Sequence, residues 1–405
     1  MKSMPSAIFP GVASALALAL LAGIHPLDAF PAGAGQPAIP AEFSKAPDKD
    51  AKGSAESIVK EAMASHRIPS LAVAVVQNGK TVLQKAYGHD PFYTFADNSP
   101  SNGYALGPAT QVLTGGAILL LVGEGKVGLD DRVSKYLPDL PEAWGPITIA
   151  QLLSHRSGLP MFPKQAKSFA DAVQEAGKQP LRFKPGAQRA ENAADFDLLG
   201  RVVEQVSGET YLKYMDHTVF KQMKFNDTGD FDKLMFRFVT PQDSSFSTTR
   251  STQSMVVVHG EESASTLSGR NGFNPDPVAK AQMMELLYRG IPSYSIPSKG
   301  LASNLPDLLK LTSAIFQPSS TQVFNNPDYL TLAPGWKACN TGKDTLLTTA
   351  GGASEGYGIN LSVVPSRKAA VLLLWKIESG SDNTLMNEES RDILESALGD
   401  RKSVV

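Results

Sequence analysis

The stretch from Tyr104 to Gly128 restricts what this chain can fold into more than any other part of the sequence. Gly107-Pro108 opens it, and proline is favoured at the first position of a helix because its φ is preset and its missing N–H would have no partner there. The residues that follow are apolar on nearly every face, up to a stop at Gly123-Glu-Gly125. A helix without a polar face must be buried, so the sequence predicts a central helix around which the other elements pack.

The patterns on either side of this helix predict strands at both ends of the chain. Residues 71–83 alternate as two strands around Asn78-Gly79, which is the strongest short hairpin signal, and a helix at 56–66 precedes them. The later patterns predict helices at about 168–176, 194–206, 210–223, 278–289 and 385–398, and strands at 255–258, 330–337, 346–349, 359–364 and 369–377. Strands at both ends with helices between them indicate one sheet built from the two ends of the chain.

Two blocks that follow the central helix carry a family resemblance. They are Leu129-Asp-Asp-Arg-Val-Ser-Lys-Tyr-Leu-Pro138 and Ile147-Thr-Ile-Ala-Gln-Leu-Leu-Ser-His-Arg-Ser-Gly-Leu-Pro160. Both resemble the serine β-lactamase, penicillin-binding protein and class C-like esterase family. Further similar blocks begin at Phe183, Leu198 and Ser298, so the resemblance covers about residues 52–400.

The resemblance implies a fold of the α/β (α+β) class, of the β-lactamase/transpeptidase type. In this fold an antiparallel sheet is flanked by helices and carries an inserted, mostly helical subdomain. Residues 52–103 and 296–400 would supply the sheet, and about 104–295 the helical subdomain. Residues 1–29 match the charged and apolar regions of a signal peptide, and 30–51 are polar and proline-rich like a flexible linker.

The same resemblance implies that the catalytic positions have been replaced. The register without gaps puts Pro108 where the family has its nucleophilic serine and Gln111 where it has a lysine. Ala190 falls at the tyrosine of the second motif, whose asparagine survives as Asn192. Thr349 falls at the basic residue of the third motif. We therefore expect no residue of this chain to act in the family's serine mechanism.

Side-chain chemistry explains why these replacements matter. Proline has no nucleophilic atom, and it also lacks the backbone N–H that serves the family as an oxyanion-hole donor. Gln111 cannot accept a proton as a neutral lysine can. The side chains and backbone left to line the cleft, and therefore the candidate ligand-binding residues, are Gln111, Glu191, Asn192, Thr349, Gly351 and Gly352.

Other serine motifs are weaker candidates. Ser57-Ile-Val-Lys60 and Ser381-Asp-Asn383 match short catalytic patterns but lie on an N-terminal helix and in a late loop, which is the wrong context. His155 and Ser157 invite a serine–histidine assignment, yet in the family this sequence is a structural turn after a helix. We expect a structural role for both.

Composition restricts the kinds of partner that this protein is expected to bind. The net charge of −2 offers no basic stripe, so nucleic acid is not expected as a partner. Cys339 is the only cysteine, so no metal site of clustered cysteines is possible, and neither a metal nor a cofactor is predicted. The apolar run at 11–23 is too short for a membrane span, so the protein is expected to be secreted or periplasmic, without an integral span after signal removal.

Three functions remain open at the level of sequence. The first is a pseudoenzyme that binds a peptide, an acyl compound or a partner protein in the old active-site cleft. The second is an enzyme without a covalent serine, such as a cyclase, isomerase or hydrolase in secondary-metabolite tailoring, that reuses the cleft. The third is an esterase or amidase with a displaced nucleophile, which predicts a covalent adduct.

Overall fold

A computed structural model describes residues 55–89, 97–231, 291–317, 334–340, 344–353, 356–376 and 386–398. The predicted signal peptide and linker lie outside these residues, as do the strand predicted at 255–258 and the helix predicted at 278–289. The described strands are β1 Ser70–Gln77, β2 Lys80–Gly88, β3 Tyr104–Ala105, β4 Gly229–Asp230, β5 Leu301–Ser303, β6 Lys337–Asn340, β7 Thr345–Ala353, β8 Tyr357–Val364 and β9 Ala369–Lys376.

The main sheet joins the two ends of the chain. Its order among the described strands is β2-β1-β9-β8-β7-β6, and every neighbouring pair is antiparallel. The pairing of β1 with β9 brings residues 70–76 beside residues 370–376. A smaller sheet of order β3-β5-β4 lies at the start of the helical region. The expected antiparallel sheet flanked by helices is confirmed.

The predicted hairpin is confirmed in detail. Asn78 and Gly79 connect β1 to β2 with φ angles of 52° and 77°, both in the left-handed region. A hairpin turn with two positive φ values matches the twist of the flanking strands, and asparagine followed by glycine tolerates it best. The turn therefore fixes the register in which β1 enters the sheet.

The described helices are α1 Ala55–Ser65, α2 Thr110–Gly123, α3 Ile149–Leu153, α4 Phe169–Gly177, α5 Ala193–Ser207, α6 Tyr211–Tyr214, α7 Ile296–Lys299, α8 Leu305–Ile315 and α9 Asn387–Leu398. The central helix of the prediction is α2, and all its residues from Thr110 to Leu121 are buried. A tight helical turn, Gly107–Ala109, leads into it and carries Pro108.

The two faces of the sheet support separate cores. Leu372 and Leu374 of β9 belong to the larger core, which includes α2 and most of the helical region. Leu373 and Trp375 point to the opposite face and pack with α1 and α9. This alternation follows from the two-residue period of a strand. The helices α1 and α9, first and last in the described part of the chain, thus share one layer, and His66 Nε2 lies 2.7 Å from Glu389 Oε1 there.

Two predicted elements were wrong in their bounds. Residues 330–333 of the strand predicted at 330–337 lie outside the described residues, and of the others only Lys337 belongs to a strand, because Pro334 has no N–H to donate and Gly335 adopts a φ of 75°. The helix predicted at 210–223 is α-helical only from Tyr211 to Tyr214, after which Met215–Phe220 form a π-helical turn. Sequence periodicity does not separate α from π turns.

Membrane topology can be addressed for the described residues alone. None of their helices combines the length and the apolar character that a membrane crossing requires.

Candidate functional site

The start of α2 holds the position expected for a nucleophile. Pro108 lies in the turn before the helix with its side chain exposed to solvent, and Gln111 follows three residues later with only 9% of its surface exposed. Positions three apart lie on the same side of a helix. Pro108 and Gln111, which the sequence predicts at the serine and lysine positions of the family, therefore lie on one side of the start of α2.

Gln111 is joined to a chain of buried polar side chains. Its Oε1 atom lies 3.1 Å from His155 Nε2, and His155 Nδ1 lies 2.8 Å from Asp195 Oδ2. The other oxygen of Asp195 accepts a hydrogen bond from the hydroxyl of Ser157, which itself accepts one from the N–H of Leu159 at 3.0 Å. His155 and Ser157 thus both take part in this buried hydrogen-bond network.

The hydrogen-bonding partners determine where the protons of this chain lie. A glutamine Oε1 can only accept, so His155 Nε2–H must donate to it. The N–H of Asn192 donates to His155 Nδ1 at 3.3 Å, which leaves that nitrogen as an acceptor. The 2.8 Å contact between His155 Nδ1 and Asp195 Oδ2 also needs one proton, and a carboxyl group whose pKa is raised by burial is able to supply it.

The environment of Asp195 agrees with this assignment. Burial raises the pKa of its carboxyl group above the ordinary value, in spite of the contact with His155, the hydrogen bond from Ser157 and the charge of Arg182, which lower it. A buried carboxyl group is less costly when neutral. Reasoning from the sequence did not identify Asp195. The signal that could have found it is its place in the first turn of α5, shortly after Asn192.

Asn192 is engaged by the protein itself. Its Oδ1 accepts from the N–H of Ala194 at 3.1 Å, which makes it the N-cap of α5. Its Nδ2 donates to the carbonyl oxygens of Leu159 at 2.8 Å and Pro160 at 3.3 Å. The N–H of Ala190 donates to the carbonyl of His155 at 2.9 Å. The second motif therefore holds the turn around His155 in place.

Glu191 lies at the surface between two cations. Its Oε1 atom is 3.6 Å from Lys337 Nζ and 3.8 Å from Arg189 Nη2, and its side chain is more than half exposed. Exposed ion pairs of this kind contribute little free energy. The contact with Lys337 does show that the segment before α5 reaches the first residue of β6, a neighbour that the sequence did not indicate.

Part of strand β7 has an open edge, since among the described residues only one strand pairs with it there. The pairs between β6 and β7 run from Lys337–Thr348 to Asn340–Thr345, whereas β7 continues to Ala353. Among the described residues, the segment 349–353 pairs with β8 only. The side chain of Thr349 is buried, and Gly351 and Gly352 follow in the open segment. Because β7 also contacts the turn at Gly107–Ala109, this edge belongs to the same region as Pro108.

A second buried acid on α5 was also missed by sequence reasoning. Burial raises the pKa of Asp197 to about 7, although hydrogen bonds from Ser298 and Ser295 and the charge of Lys299 act in the opposite direction. Ser295 Oγ lies 3.4 Å from Asp197 Oδ2, and Oδ1 has no hydrogen-bond partner among the described residues. Across all the residues that the structure describes, no three His, Cys, Asp or Glu side chains are grouped so that they could hold a metal ion.

The structure is similar to that of the octameric penicillin-binding protein homologue from Pyrococcus abyssi. The TM-score is 0.59 at 19% sequence identity, and the likeness covers 86% of this chain and 78% of that one. At this identity the likeness shows the fold alone. It agrees with the mixed helix and antiparallel sheet architecture described above.

Sequence comparison adds bacterial relatives. The chain is 30% identical over 202 residues to Protein flp of Staphylococcus aureus (strain COL), covering 45% of this chain and 41% of that protein. It is 29% identical over 172 residues to the teichoic acid D-alanine hydrolase of Staphylococcus aureus, covering 41% and 42%. The match thus spans about two fifths of the length of each relative. A protein-family model described as "Beta-lactamase" matches residues 55–395, which is most of the chain. The chain therefore belongs to the beta-lactamase family.

Proposed function

We propose that this protein is a secreted or periplasmic pseudoenzyme that binds a peptide or acyl ligand without covalent chemistry in the cleft at the start of α2. One observation carries the proposal: the nucleophile position is an exposed proline, and Gln111 at the lysine position is tied to His155. Neither the attack on a carbonyl nor the transfer of the serine proton has a residue to perform it.

The open edge of β7 supports a retained ability to bind. An extended peptide can add to an exposed strand edge, and its main-chain hydrogen bonds then provide affinity. Residues 349–353 have such an edge within the described part of the chain. Gly351 and Gly352 carry no side chains that would keep a ligand backbone away.

The relatives suggest a first probe. One of them is named a teichoic acid D-alanine hydrolase, so a D-alanyl group is a reasonable ligand to test, although the match covers less than half of either chain. We choose N-acetyl-D-alanyl-D-alanine, which is extended, carries amide and carboxylate groups, and resembles both an acyl compound and a peptide end.

The binding test uses calorimetric titration of this dipeptide with two tryptophan variants. Pro108→Trp fills the cleft from an exposed position, and Val82→Trp places the same side chain on exposed β2 at the far edge of the sheet. We expect saturable binding to the natural protein and to Val82→Trp, and none to Pro108→Trp. Binding that survives Pro108→Trp would place the ligand elsewhere.

The chemistry test uses intact mass after exposure to benzylpenicillin and to a fluorophosphonate probe. We expect no adduct on the natural protein, and an adduct on the rebuilt variant Pro108→Ser/Gln111→Lys/Ala190→Tyr, because the helix geometry at these positions is kept. A stoichiometric adduct on the natural protein would contradict the pseudoenzyme proposal and favour a displaced nucleophile.

A further inference from the structure

We propose that Gln111 selects the ligand: its carbonyl oxygen is held by His155, so its Nε2 amide is turned to the cleft and donates to an oxygen acceptor, a carbonyl or a carboxylate. This inference rests on the proposed binding function and names the chemistry that the ligand must present.

The first step is that the orientation of the Gln111 amide is fixed from behind. His155 Nε2–H donates to Oε1 at 3.1 Å, and the ring is held from its other side by Asp195 and by the N–H of Asn192. His155 and Asp195 are at most 3% exposed, so water cannot replace these partners. Turning the amide over would place its N–H groups against a donating nitrogen and leave both groups unpaired.

The second step is that the Nε2 atom of Gln111 remains available. It makes no hydrogen bond to the described residues, and it is not among their buried polar atoms that lack a partner. The exposed fraction of Gln111 therefore includes this nitrogen. Gln111 lies on the same side of the start of α2 as Pro108, which is exposed and precedes Gln111 by three residues.

The third step concerns the chemistry that the cleft has gained in place of lysine. A neutral amide keeps two N–H donors but loses the positive charge and the ability to carry a proton. It can orient a carbonyl or carboxylate oxygen, and it disfavours a ligand that presents an N–H at the same point. The substitution therefore converts a proton-transfer position into a recognition position.

Histidine NMR tests the orientation without any ligand. A long-range nitrogen–proton correlation spectrum of the full chain distinguishes which ring nitrogen is protonated, and the signal of His155 among six histidines is assigned by its loss in His155→Gln. We expect a proton on Nε2. A bare Nε2 would mean that Gln111 donates to His155 and presents Oε1 to the cleft, and it would overturn the inference whatever binds.

Dipeptide titration then tests recognition. Gln111→Met keeps the length of the side chain but removes the donors, and Gln174→Met makes the same change on the exposed face of α4. We expect N-acetyl-D-alanyl-D-alanine to bind about tenfold or more weakly to Gln111→Met, as for loss of a hydrogen bond to a charged group, and normally to Gln174→Met.

The two proposals fail in different ways. Equal affinity of Gln111→Met and the natural protein, with binding still blocked by Pro108→Trp, would overturn the role of Gln111 and leave the cleft as the binding site. No binding of the dipeptide to the natural protein would contradict the proposed function for this ligand class. In that case the tautomer of His155 still decides how Gln111 is oriented.

Discussion

At the scale of single residues, hydrogen bonds between buried side chains determine how the candidate site is arranged. The buried polar groups form one connected chain: Ser157 and His155 contact the two oxygens of Asp195, and Gln111 Oε1 contacts His155 at the end of the chain near the cleft. A buried network of this kind is stable only when every member is satisfied. Its members should therefore respond to substitution as a unit.

Substitutions at Asp195 test whether its buried carboxyl group, whose pKa is raised, is protonated in the fold. Asp195→Asn keeps a donor toward His155 and an acceptor for Ser157, so we expect the free energy of unfolding to change by less than about 1 kcal/mol. Asp195→Ala leaves two buried groups without partners and should cost about 2–5 kcal/mol. Urea denaturation at pH 7 measures both values. An asparagine variant as unstable as the alanine variant would show that the native carboxyl group is ionised.

Asp197 should make stability depend on pH. Its pKa rises from about 3.9 in the unfolded chain to about 7 in the fold, so the folded state binds the proton more tightly. The associated stability is present below about pH 4 and is lost as the pH rises through 7, with an upper limit of about 4 kcal/mol.

The variant Asp197→Asn stays neutral and should be more stable than the natural protein at pH 8 but similar to it at pH 4. Guanidinium denaturation across this range measures the difference, with Asp130→Asn as a surface control. Parallel pH profiles for Asp197→Asn and the natural protein would contradict a buried, protonated Asp197.

At the scale of elements, the site depends on how closely the chain approaches the central helix. A Cβ atom on Gly335 would lie 2.4 Å from the backbone nitrogen of Val112 and 2.5 Å from the carbonyl carbon of Gln111. Only glycine permits this contact, since the φ of 75° also disfavours other residues. The turn before β6 is thereby held against the start of α2.

A pair of glycine variants separates the two effects. Gly125 has a similar φ of 71° but no atom within 4 Å of an added Cβ, so Gly125→Ala should cost only about 1–2 kcal/mol of backbone strain. Gly335→Ala adds a backbone overlap and should cost about 1–3 kcal/mol more. Chemical denaturation of the two variants gives the comparison. Equal losses would mean that the turn moves away from α2 without cost.

At the scale of the whole molecule, α1 and α9, the first and last helices among the described residues, belong to one layer. Ile393 and Leu394 of α9 are fully buried with Val59 of α1 against the face of the sheet that includes Trp375. The N-terminal hairpin pairs with the last strand of the sheet. Neither end of the domain can therefore complete its core without the other.

Truncation of a side chain in α9 should weaken the entire fold. We expect Ile393→Ala to lower the free energy of unfolding by about 2–5 kcal/mol, whereas Ser396→Ala on the exposed face should stay within about 0.5 kcal/mol. Circular dichroism and tryptophan fluorescence should report one shared transition. A separate early transition for Ile393→Ala would indicate that α9 unfolds independently of the sheet.

Local sequence signals determined much of the fold. The apolar run of α2 required a buried helix, and Asn78-Gly79 required a tight hairpin, because both depend only on neighbouring residues. The motif register also placed Pro108 and Gln111 together at the start of that helix. These features follow from spacing along a single element.

Only the tertiary structure decided what the retained side chains do. Gln111, His155 and Asp195 lie on three separate segments, and no periodicity connects residues that are 40 or more positions apart. The same holds for the contact between Gly335 and α2, and for the part of β7 that pairs only with β8 among the described residues. The sequence predicted which positions lack the catalytic side chains of the family, whereas the packing of distant segments determined the hydrogen-bond partners of Gln111, His155 and Asp195.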